Sequence, residues 1–176
     1  MGRRDMGKGK SNATARPDVA NAAEAPDATP AQAGDDATLV TSMLRQAWLG
    51  LAFWMTFGLL LEGLIGYRIP DYLNDPQRRE LLRLAHAHGA VLSIVLLASA
   101  LGIGYGRTRP VRATVAALRI GVVVMPLAFL AAGLWHYAND PGLAIWLAPP
   151  AALLIVFGVI GLALGTRAPR GDASSR

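Results

Sequence analysis

Residues 142–165 read GLAIWLAPPAALLIVFGVIGLALG, twenty-four positions without one charged side chain. About 20 apolar residues in a helix cross the hydrocarbon of a bilayer. A membrane-spanning strand would be shorter and would alternate in polarity, which this segment does not do. Three further segments share its character: 46–66 (QAWLGLAFWMTFGLLLEGLIG), 84–106 (LAHAHGAVLSIVLLASALGIGYG) and 113–137 (ATVAALRIGVVVMPLAFLAAGLWHY). The four spans predict an all-α fold, an integral membrane four-helix bundle occupying residues 41–167.

The rest of the chain agrees. Of 176 residues, 53% are hydrophobic and 16% charged, whereas soluble domains carry about 25% charged residues. There is no cysteine, so disulfides, thiolate metal sites and cysteine nucleophiles are excluded. The net charge of +5 does not point to nucleic acid, because the basic residues sit at the chain ends and in short loops between apolar runs. Residues 1–40, rich in Ala, Asp, Pro and Gly, predict a disordered tail. No apolar h-region follows its basic start, so it is not expected to be a signal peptide. Residues 168–176 predict a second, short tail.

Arginine placement predicts the orientation. Arg3, Arg4, Lys8, Lys10, Arg16, Arg45, Arg107, Arg109, Arg112, Arg167, Arg170 and Arg176 fall on one side of a four-span chain, and Arg68, Arg78, Arg79 and Arg83 on the other. The positive-inside rule then expects both termini in the cytoplasm of a bacterial inner membrane. Arg119 lies inside the third span and is expected to snorkel to the cytoplasmic face.

Turn and cap signals divide the spans. Asp75-Pro76 reads as an N-cap with proline at the first helical position, and Thr108-Arg109-Pro110 offers a similar start for the third helix. Asn139-Asp140-Pro141-Gly142 predicts a tight turn. Pro126, and Pro149 with Pro150, break their spans and free carbonyls; the breaks read either as simple kinks or as a polar cavity beneath the outer face. Gly102-x-x-x-Gly106 and Gly161-x-x-x-Gly165 match the small-residue spacing of packed membrane helices, within the chain or in a homo-oligomer or larger membrane complex.

Titratable groups in a span need a reason. Glu62, His86, His88 and His136 all fall near the outer boundary, on three helices. One Glu and three His are ligand chemistry for a transition metal, and two His for haem b. His86 and His88 are 200° apart around a helix and cannot both face one ion. The face of His86 continues through the small residues Gly89, Ala90, Ser93, Ala100 and Gly104, which turns it inward. The competing reading is interfacial: histidines bonded to loop, water or headgroups, Trp135-His136-Tyr137 in an aromatic belt, and Glu62 paired with Arg83 or Arg68.

The stretch from Leu61-Glu62-Gly63 through Tyr72-Leu73, Arg78-Arg79 and Leu84-Ala85-His86-Ala87-His88-Gly89, with the Asn-Asp-Pro-Gly turn, resembles small bacterial four-helix membrane proteins of unknown function. Ala85-His86-Ala87-His88-Gly89 is also similar to the Ala-His-x-x-Gly pattern opening a span in hydroxylaminobenzene mutase-like membrane proteins. The first resemblance implies the topology and no activity. Three function classes follow: a non-catalytic accessory or structural membrane subunit; a haem- or metal-binding redox protein; and a small isomerase of a lipophilic substrate, with His86 as acid–base and Glu62 as its orienter. No phosphate, dinucleotide or hydrolase motif is present.

Overall fold

The computed structural model describes residues 30–109, 111–136 and 140–166. Five α-helices follow in order: α1 (Pro30–Gly66), α2 (Pro70–Leu73), α3 (Pro76–Gly104), α4 (Arg112–Leu134) and α5 (Ala148–Leu164), with a 3₁₀ turn over Leu143–Leu147 before the last. Four helical stretches are long and apolar enough to cross a bilayer. The chain is a multi-pass membrane protein built as an all-α four-helix bundle. An isolated β-bridge joins Thr108 and Thr166.

α3 and α4 are the central pair. α1 packs on α3, α3 on α4 and α4 on α5, while α1 and α5 make no extended contact. Met43 and Ala47 of α1, Leu92, Leu96 and Ala100 of α3, Val115 and Leu118 of α4 and Leu162 of α5 form one buried cluster. It lies toward the end of the bundle that carries the α3–α4 loop. A smaller cluster at the opposite end joins Leu61, Leu82 and Tyr72 of the short helix α2. Many large apolar side chains of α1 and α5 are exposed. Lipid tails solvate them as well as protein does, so helix association rests on close packing and interhelical hydrogen bonds.

Several boundaries differ from the sequence expectation, each for a local reason. The tail predicted to be disordered to residue 40 is helical from Pro30; residues 1–29 lie outside the described part. Leu39 and Val40 pack against the core, and Arg112 bonds Asp35 at 2.6 Å. At 37 residues, α1 is about 55 Å long and exceeds the hydrocarbon thickness, so one end projects. α4 starts at Arg112, not at the Thr108-Arg109-Pro110 signal (Pro110 lies outside the described residues). The Arg109 amide is committed instead to the Gly165 carbonyl at 3.0 Å. α4 also stops at Leu134, so His136 stands beyond the helix. Of the predicted Asn139–Gly142 turn, Asn139 is not described, but Asp140 accepts from the Gly142 amide at 2.9 Å. Arg167, Arg170 and Arg176 and the tail 168–176 also lie outside the described residues.

Pro149 and Pro150 occupy the first turn of α5, where missing amides cost nothing. The predicted fourth span is thus a 3₁₀ turn joined to an α-helix. Beside the break lies a hollow of about 410 Å³ lined by Met125, Phe129, Ile145, Trp146, Pro149 and others. Its lining is wholly apolar, so the polar cavity suggested by the prolines is not found there.

Candidate functional site

The α1–α3 seam is built by glycines that receive side chains from the other helix. The helices run antiparallel, and three levels match: Gly50 with Ser93, Trp54 with Gly89, and Gly58 with His86. A Cβ on Gly89 would land inside the Trp54 indole, and one on Gly58 inside the His86 imidazole. The spacing explains the fit. On α1 the three residues recur every four positions, and on α3 they are three and four apart, so each set forms one stripe.

His86 completes the seam. Its Nδ1 lies 2.8 Å from the Trp54 carbonyl, an acceptor only, so Nδ1 carries the proton and donates. His88 points elsewhere. Its Nδ1 donates to the Leu84 carbonyl of its own helix at 2.8 Å, and its ring stacks on Phe129 of α4 at 5.0 Å. Glu62 is exposed, and among the described residues it forms no ion pair with Arg83 or Arg68.

His136 belongs to a cluster at the α2–α3 end. Its side chain is 6% exposed, and Nε2 sits 2.7 Å from the Asp75 carboxylate. Asp75 is the N-cap of α3, accepting from the Arg78 amide at 2.9 Å. That backbone donor, together with the charges of His136 and Arg78, holds the Asp75 carboxyl below the usual carboxylate range. The Nδ1 of His136 and the hydroxyl of Tyr72 are buried and have no hydrogen-bond partner among the described residues. Burial pushes the Tyr72 hydroxyl up from its ordinary value.

The four candidate ligands thus have four different surroundings. Asp75, which holds His136, and His86 are eleven residues apart on one helix, about 16 Å along its axis. Ligand bonds of about 2 Å do not bridge that interval. Among the described residues no group of three or more His, Asp or Glu is placed to hold a metal ion. The donation through Nδ1 does leave Nε2 of His86 and of His88 as the nitrogen available to accept, the tautomer ligating histidines adopt.

The glycine pairs also divide. Gly161 faces Thr114, and a Cβ on Gly165 would meet the Arg109 carbonyl at 2.7 Å, so both lie against the neighbouring chain. Gly102 and Gly106 have no close helix partner. Gly106 lies past the end of α3 with φ of 66°, and its amide bonds Ile103 while the Arg107 amide bonds Gly102. This is a Schellman cap, which calls for a left-handed residue at Gly106.

One polar site was not anticipated. Arg119 of α4 donates through Nε to the Gln46 side chain at 2.7 Å and through a terminal nitrogen to the Ser42 hydroxyl at 3.2 Å. Gln46 returns a bond to the Arg119 carbonyl at 3.0 Å. These groups stand at one end of a trough of about 570 Å³ between α1 and α4, floored by Ser93 of α3. Attention to titratable residues alone passed over Ser42 and Gln46. Their four-residue spacing at the entry to the first span, level with Arg119, was the available signal.

Comparison with known protein families, with curated proteins and with solved structures finds no match to this chain.

Proposed function

We propose that the chain is a bacterial inner-membrane protein with both termini in the cytoplasm, acting as a non-catalytic accessory or structural subunit. The observation that carries this reading is the seam: His86 is seated in the Gly58 notch and bonded to the Trp54 backbone. A side chain used that way fixes two helices in register. The arginine-rich α3–α4 loop supports the orientation.

The test is protein purified from membranes in mild detergent, measured by absorption spectrum, metal analysis and native mass. The expected preparation is colourless and metal-free, and runs above its monomer mass with a second copy or another membrane protein. The orientation is checked with Thr108→Cys, which a membrane-impermeant thiol reagent should reach only from the cytoplasmic side. A second reading, a haem- or metal-binding redox protein, is favoured by the Nδ1 donation of His86, which leaves Nε2 as the accepting nitrogen. It predicts an absorption band or stoichiometric metal that disappears in His86→Ala.

A further inference from the structure

The trough between α1 and α4 carries an inference that needs only the membrane setting and not the accessory role. We infer that it binds an anionic phospholipid. Arg119 and Arg45 hold the phosphate, and one acyl chain lies along Leu49, Phe53, Val123 and Leu127.

The polar end is cationic and short of partners. A guanidinium has five N–H donors, and two interactions of the Arg119 side chain, to Gln46 and Ser42, are in place. Among the described residues it has no carboxylate partner, and the trough lining contains Arg45 but no acid. Arg119 lies seven residues inside α4, about 10 Å from Arg112 along the axis. A charge at that depth is costly unless compensated. Because Gln46 and Ser42 hold the side chain in place, it is less free to reach water, and the compensating anion must come to it.

The walls select the rest of the ligand. From Arg119 to Leu127 the α4 side runs about 12 Å through apolar residues, and on α1 Leu49 and Phe53 face the same space. A free phosphate would leave this length unfilled. A phospholipid fills it, enters sideways from the bilayer, and places its phosphate at the basic end. Basic pockets between membrane helices are known to hold anionic headgroups in this manner.

The experiment uses the full chain in a neutral detergent, with phosphatidylglycerol, phosphatidylcholine of the same acyl chains, and inorganic phosphate as three probes. Native mass spectrometry reads retained lipid, and thermal unfolding reads stabilisation. The expected result is one retained phosphatidylglycerol per chain, bound about tenfold or more tightly than phosphatidylcholine. Arg119→Gln should bring the two lipids within about twofold, and Arg119→Lys should fall between, since it keeps the charge and loses the fork. Leu49→Trp keeps both arginines and fills the trough, so it should abolish lipid retention even if the arginine variants prove poorly folded. Equal retention of the two lipids, an unchanged preference in Arg119→Gln, or undiminished binding in Leu49→Trp would each overturn the assignment. Displacement of the lipid by inorganic phosphate alone would overturn it too, by making the site one for a free anion.

Discussion

α1 shows two faces to the bundle, and they are finished differently. Against α3 it closes: Trp54 enters the space at Gly89, His86 enters the space at Gly58, and His86 and Ser93 at the contact are each bonded to a backbone carbonyl. Against α4 it stays apart, and the gap holds an arginine with hydrogen bonds to spare. The same helix thus uses a buried polar residue as a fastener on one side and leaves one available on the other. A polar side chain in a membrane span is therefore not evidence of a ligand site until its partners are counted. By that count His86 belongs with the fold and Arg119 with binding.

The largest effects are expected where the seam is broken. Trp54→Ala removes the main knob and should cost about 3–5 kcal/mol in thermal or denaturant unfolding in detergent. Gly89→Leu overfills the same space and should cost about 1–3 kcal/mol. The two occupy one volume, so the double variant should be more stable than the sum of the single costs implies. Strict additivity would mean that Trp54 and Gly89 do not share a contact, and the seam as described would fail.

His86→Ala comes next, at about 1–2 kcal/mol for one hydrogen bond and a small void. Arg119→Gln sharpens the contrast: without anionic lipid present it should change unfolding by no more than about 1 kcal/mol, because lost hydrogen bonds are offset by removing a charge from the membrane interior. If Arg119→Gln destabilises the lipid-free protein more than His86→Ala does, the two faces have been assigned the wrong way round.

The sequence made part of this visible. The spans follow from length and apolar composition, and the start of α3 from Asp75-Pro76, because both signals are local. The small residues Gly89 and Ser93 in register with His86 pointed that side chain toward another helix. The identity of that helix was not legible, since nothing local ranks α1 over α4 as the neighbour. The role of Arg119 was missed for the same reason: Ser42 and Gln46 lie more than seventy residues away. The end of α4 was overrun because no proline or turn signal stands between Leu134 and Asn139. In the structure α4 ends at Leu134, and His136 beyond it pairs with Asp75.

That bond lies between the two extremes, and it yields the smallest expected effect. Asp75 is partly exposed, at 27% of its side chain, so water weakens its pairing with His136. Its carboxyl is held below the ordinary range, first by the Arg78 amide and then by nearby positive charge. A carboxyl depressed in the folded state stabilises the fold fully above its unfolded value, near pH 4, and that stabilisation is lost as pH falls through the folded value. Unfolding temperature followed from pH 7 to pH 2 should therefore be insensitive to Asp75 until about pH 4 and then decline. Asp75→Asn keeps a capping oxygen for the α3 amides but cannot titrate, so it should lower stability slightly at neutral pH and flatten the acid-side decline. Parallel profiles for the two proteins would show that the folded state does not depress the Asp75 carboxyl, and that neither the Arg78 amide nor His136 favours its charged form. The contact with His136 would then fix the loop's position without contributing to the pH response.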